Sequence, residues 1–71
     1  LRKGEQQKVR ERIVLFQRDA FNPVLNNHPL RGKYKGYRSI NIAGDLRAIY
    51  RYLDSRYCLF TNIDAHSNLY R

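Results

Sequence analysis

Two histidines, an aspartate and an arginine in this 71-residue chain have the types for phosphoryl chemistry: His28, Asp45, Arg47 and His66. An unperturbed imidazole titrates near pH 6.5 and can give or take a proton at neutral pH; an aspartate is ionised there and suits an orienting role unless its surroundings favour the proton. Arg47 stands between Leu46 and Ala48 in an otherwise apolar run, where a charge directed at a sheet face needs an anion or a phosphate beside it. Its guanidinium suits the developing charge of a pentacoordinate phosphorane through bidentate hydrogen bonds. His66 is the favoured acid toward a leaving oxygen, and the base is either His28 or Asp45. Each has a plainer reading: His28 as a brace for the turn before Pro29, Asp45 as a turn residue, His66 as an exposed tail residue. A zinc site from His28, His66 and a carboxylate has no supporting ligand spacing, so no metal or other cofactor is expected.

His28 opens a basic, aromatic, glycine-punctuated stretch. No acidic residue lies between Asp19 and Asp45, while Arg31, Lys33, Lys35 and Arg38 crowd into eight positions with Tyr34 and Tyr37 among them. Such a run can neutralise phosphates and offer flat rings to bases. Lys33, Lys35 and Arg38 fit point contacts to an RNA backbone, and Tyr70 fits stacking on a base, or packing of the tail on the sheet. The formal net charge of +8 points to an acidic partner, nucleic acid by default, with an acidic protein as the alternative. Tyr34, Tyr50, Tyr52 and Tyr57 read as sheet packing instead.

One domain, residues 1–71, is the limit at this length, and a chain so short buries only about 60% of its unfolded surface. Cys58 is the sole cysteine, which excludes an internal disulfide, fits a reducing compartment and reads as core. No apolar run approaches a membrane span and no signal-peptide pattern opens the sequence, so a cytoplasmic location is expected.

Steps of four, three and four between Val9, Ile13, Phe16 and Ala20 predict a helix from about Glu5 to Ala20, ended by Asn22 and Pro23. Residues 22–36, with two prolines nearby and Gly32 and Gly36, read as a structured loop. Tyr37–Ile42 reads as a strand with Ile40 and Ile42 on one face and Ser39 and Asn41 on the other, followed by a turn at Ala43 and Gly44 before Asp45. Leu46–Leu53 and Tyr57–Ile63 complete an antiparallel meander, with 64–70 as a short tail. The fold class is α+β: one helix on a small antiparallel sheet of three to four strands. One helix is thin cover for such a sheet, and the chain begins at Leu1, so an N-terminally truncated part of a longer chain is expected.

Three segments carry a family resemblance: HPL with KGYR at His28–Leu30 and Lys35–Arg38, GDLRAIY at Gly44–Tyr50, and AHSNLY at Ala65–Tyr70. Together they resemble the RelE/ParE toxin superfamily, most closely its YafQ-like mRNA interferase branch. The resemblance implies a compact α+β protein whose N-terminal strand and first helix are missing here. It also implies the toxin of a type II toxin–antitoxin system, a metal-independent, ribosome-dependent endoribonuclease. In that chemistry the substrate's 2′-hydroxyl attacks the adjacent phosphorus and leaves a 2′,3′-cyclic phosphate and a 5′-hydroxyl. Implied partners are a cognate antitoxin, rRNA and mRNA. His28, Asp45 and His66 fall on motif positions for catalysis, Arg47 on a phosphate-binding arginine, Arg38 on a basic position and Tyr70 on a terminal aromatic. Asn41 departs from the pattern, which can carry histidine there; its amide cannot shuttle protons and leaves the role absent or converted to hydrogen bonding. The alternatives are a ParE-like DNA gyrase inhibitor and a catalytically inactive basic partner-binding module. Exposed edge and apolar groups also lead to an expectation of self-association, of antitoxin cover or of cover by further N-terminal residues.

Overall fold

The structure, a computed structural model, describes residues 2–65. Its single long helix, α1, runs Lys3–Arg18, with Glu5 in the first turn and Arg18 in the last, both signs favourable to the helix dipole. The Glu5 carboxylate accepts the Arg2 backbone N–H at 3.0 Å and closes the helix start. Phe16 is buried, and Val9 and Ile13 pack on the same core. The helix ends two residues before the expected Ala20. Asp19 leaves the helical region at φ −154°, its backbone carbonyl accepts the Asn22 N–H, and its carboxylate accepts the Asn22 amide at 3.2 Å. This local hydrogen bonding competes with another helical turn.

Four strands follow: β1 (His28–Pro29), β2 (Arg38–Ala43), β3 (Leu46–Tyr52) and β4 (Cys58–Ala65), antiparallel in the order β1-β2-β3-β4. The strand ends fall within a residue or two of the sequence reading, β2 one residue later at each end and β3 one residue shorter, and two differences are larger in consequence. Residues 22–36 hold the two-residue β1 as well as 3-10 turns at Pro23–Leu25 and Gly32–Tyr34, and β4 takes in Asp64 and Ala65, assigned above to the tail. Pairing supplies what propensity does not: the His28 and Pro29 backbones match Ser39 and Arg38. In β4 the apolar residues Cys58, Phe60, Ile63 and Ala65 slip by one position midway. A bulge absorbs the slip, because Ile49 pairs Asn62 while Tyr50 pairs Phe60, so the apolar set stays on one side.

Gly44 and Asp45 make the β2–β3 turn, with Gly44 at φ +51°, a region open to glycine. Ile42 is the extra residue of a second bulge, between Asn41↔Arg47 and Ala43↔Leu46. Its carbonyl accepts the Arg12 Nε at 3.0 Å and ties α1 to the sheet.

The core lies between α1 and one sheet face: Phe16, Leu25, Ile40, Ile42, Leu46, Ala48 and Tyr50. Tyr50 is its centre. The Phe16 ring meets it edge-on at 4.9 Å and Phe60 sits 5.2 Å from it. Its hydroxyl reaches out of the apolar cluster to the Asn27 amide. Asn27 Nδ2 donates to that hydroxyl at 2.8 Å and to the Ala20 carbonyl at 2.9 Å. Asn27 Oδ1 accepts from the hydroxyl at 3.0 Å and from Arg38 Nε at 2.8 Å. Arg38 also lies 5.3 Å from the centre of the Phe21 ring, a cation–π contact. One amide thus joins the segment after α1, the loop before β1, β2 and β3.

Removing the Phe16 ring, which packs edge-on against both Tyr50 and Phe60, should cost about 3–5 kcal/mol. In so small a domain Phe16→Ala should lose its cooperative denaturant transition, followed by circular dichroism. Tyr50→Phe should cost about 1 kcal/mol, because it removes the hydrogen bonds between the hydroxyl and the half-buried Asn27 amide. Burial pushes the Tyr50 phenol above its ordinary value of 10.0, more than its hydrogen bond with Asn27 draws it down. A phenol held protonated in the folded state contributes stability that is complete below the unfolded value and lost as pH rises through the raised one. The wild-type stability advantage over Tyr50→Phe should therefore shrink above about pH 10, measured by denaturant titration across alkaline pH.

Candidate functional site

Alternation along the strands sorts side chains onto two faces. Ile40, Ala48 and Tyr50 face α1 with the core, so Ser39 and Asn41 of β2 and Arg47, Ile49 and Arg51 of β3 belong to the far face. Two cross-strand rows organise it. One runs His28, Ser39, Ile49, Asn62 and the next Asn41, Arg47, Asp64.

Arg47 is half-buried, and its Nη1 donates to the Asn41 side-chain oxygen. At the position where the resemblance allows a histidine, Asn41 thus accepts a hydrogen bond from Arg47. It holds the guanidinium by one arm, and Asp64 sits in register on the other side, an opposite charge across the strand pair. In its cross-strand row Arg47 has polar partners, Asn41 and Asp64, although Leu46 and Ala48 flank it in the chain.

His28 is half-buried at the edge of the sheet. Its Nδ1 lies 2.8 Å from the carbonyl oxygen of Asn26. Asn26 is left-handed, at φ 45° and ψ 50°, and caps the Pro23–Leu25 turn. Asp45 is exposed in the β2–β3 turn, four residues before the row that holds His28. At ~3.3 Å per residue, its backbone stands roughly 13 Å along the strands from that row. His28 and Asp45 therefore do not touch. Arg47 lies between them, two residues along and two strands across from His28, a backbone separation of roughly 12 Å.

The basic loop adjoins β1. Lys33 and Lys35 are exposed around the Gly32–Tyr34 turn, with the Lys33 ammonium 5.2 Å from the centre of the Tyr34 ring. The Leu30 N–H donates to the Tyr37 carbonyl at 2.9 Å and closes the loop. Arg38 is placed otherwise: its guanidinium belongs to the Asn27 clamp, on the α1 side of β2, across the sheet from Arg47. His66 and Tyr70 lie outside the described residues.

Ser39 is a residue that sequence reasoning passed over. It is fully buried, as is its row neighbour Ile49, and its hydroxyl has no hydrogen-bond partner among the described residues. Alternation with Ile40 put it on the face away from the core, which is correct; that this face is itself buried at Ser39 and Ile49 has no local signal. A groove of about 630 Å³ lies elsewhere, between α1 and the β3–β4 turn, lined by Ile13, Phe16, Tyr52, Tyr57, Cys58 and Phe60 among others. Cys58 is half-buried there, and burial pushes its thiol up, which favours the protonated form. Among the described residues, no group of three or more His, Cys, Asp and Glu side chains is placed to hold a metal ion. No helix among them is long and apolar enough to cross a membrane.

Comparison with known proteins bears on this arrangement. Two solved structures share the fold at TM-score 0.78. One is a histidine-to-glutamine variant of YafQ from E. coli, 25% identical, and the other is YafQ from E. coli strain BL21(DE3), 24% identical. In each case the match covers 93% of this chain and 74% of the other. No curated protein matches the sequence significantly. The profile of the YafQ family, bacterial toxins of type II toxin–antitoxin systems, matches residues 2–71. With one helix on a four-stranded antiparallel sheet and a profile match over nearly its whole length, the chain belongs to the YafQ family of type II toxins.

Proposed function

We propose that this toxin is a metal-independent endoribonuclease that cuts mRNA on the ribosome. The observation that carries the reading is the arrangement of the far face, where Arg47, held by Asn41, shares the face with the row of His28, and Asp45 sits in the turn two residues before Arg47. In the reaction the 2′-hydroxyl loses its proton to His28 or Asp45 and its oxygen bonds to phosphorus. The bond from phosphorus to the 5′-oxygen then breaks, and His66 returns a proton to that oxygen. Arg47 stabilises the charge that builds on the phosphoryl oxygens. Lys33 and Lys35 on the adjoining loop bind RNA backbone, and Tyr70 stacks on a base. The presence of His28, Asp45 and His66 together supports cleavage over gyrase inhibition, which works by binding alone, and over an inactive binding module.

A type II toxin has an antitoxin as its partner, and the surface offers it both charge and apolar area. Tyr52, Leu53 and Tyr57 are each about half exposed or more around the groove, and the net charge of +8 favours an acidic protein.

Primer extension on mRNA translated in the presence of the toxin should show discrete cuts bearing 5′-hydroxyl ends. Equal cutting of naked RNA would point instead to a nonspecific basic nuclease. Arg47→Ala should lower single-turnover cleavage by on the order of a hundredfold, the size of a lost oxyanion donor, with ribosome binding little changed. Arg47→Lys should recover only part, because an ammonium lacks the planar fork.

A further inference from the structure

We infer that Asn26 is a positioning residue: its left-handed backbone turns a carbonyl onto His28 Nδ1 and fixes the imidazole in the tautomer whose Nε2 accepts a proton. The inference rests on the ribonuclease reading only for its consequence, that His28 rather than Asp45 is the base. The tautomer itself follows from hydrogen-bond chemistry. A carbonyl oxygen can only accept, so at 2.8 Å the ring nitrogen facing it must carry the hydrogen. A neutral imidazole has one N–H; with that hydrogen on Nδ1, Nε2 keeps its lone pair, the form a general base requires.

Two features make the contact a built one. Asn26 is the one non-glycine residue at positive φ among those described, and its own N–H is tied to the Pro23 carbonyl at 3.2 Å, which anchors the residue on its N-terminal side. The following residue, Asn27, is locked by its side chain to Ala20, Arg38 and Tyr50. His28 is then paired through its backbone with Ser39. The ring is thus held from behind by Asn26 while the chain under it is pinned on both sides. Asparagine is among the few residues that adopt the left-handed region readily, which is why the position suits it.

The test is a long-range proton–nitrogen correlation spectrum of the ¹⁵N-labelled chain, taken about two pH units above the ordinary imidazole value. His28→Gln identifies the His28 signals. Nδ1 should show the shift of a protonated ring nitrogen and Nε2 that of an unprotonated one. Asn26→Gly, which keeps the left-handed backbone and the carbonyl, should retain that pattern; Asn26→Val, whose branched side chain disfavours it, should lose it. In single-turnover cleavage Asn26→Val should lower kcat about ten- to a hundredfold at unchanged KM, with Asn26→Gly near wild type. A wild-type His28 protonated on Nε2 would overturn the inference whatever the activity. The Nδ1-protonated form in a protein that cuts no RNA would uphold the tautomer lock and remove the ribonuclease reading instead.

Discussion

The amide of Asn27 is where the segments of this small protein are joined. It meets the Tyr50 hydroxyl, the Arg38 guanidinium and the Ala20 carbonyl within 3.0 Å. Each of those groups belongs to a different part of the chain. The Tyr50 ring carries the connection inward to Phe16 and Phe60, so the polar clamp and the aromatic core share one side chain. A two-residue β1 and a loop of short turns would have little reason to hold a fixed place without it. The residue that β1 begins with is His28, and the clamp therefore fixes a candidate base from the side of the sheet opposite to Arg47.

Conflict between needs explains how the two faces differ. The α1 side meets the demand for apolar burial, and both bulges serve it: one keeps Phe60 and Ile63 inward despite a slipped alternation, the other frees the Ile42 carbonyl for Arg12. The far face carries the polar rows. There Asn41 occupies one arm of Arg47, and a fully buried Ser39 hydroxyl has no partner among the described residues, a cost that a stability-driven design would avoid. Local departures from packing rules of this kind concentrate at functional sites.

Much of the architecture was legible in the sequence. The steps between Val9, Ile13 and Phe16 located the helix and its inner stripe, and the alternation of Ile40 and Ile42 with Ser39 and Asn41 assigned the two faces of β2. What failed was set by partners distant in sequence. Nothing local marks His28 and Pro29 as a strand, because their hydrogen bonds come from Ser39 and Arg38. The helix limit at Arg18 depends on the Asp19–Asn22 turn, and periodicity alone carried it on to Ala20. Arg38 looked like one more cation of a basic loop; the clamp that takes its guanidinium requires Asn27, eleven residues earlier. Asn27 itself, flanked by Asn26 and His28, read only as part of a loop.

A double-mutant cycle between Asn27 and Tyr50 tests most directly whether one polar contact unites loop and core. Stabilities of wild type, Asn27→Ala, Tyr50→Phe and the double variant, from urea unfolding, give the coupling. If the two side chains act as a unit, the second substitution should add little to the first, with a coupling of about 1 kcal/mol or more. Additivity within about 0.3 kcal/mol would show that the contact holds nothing together and would contradict this account.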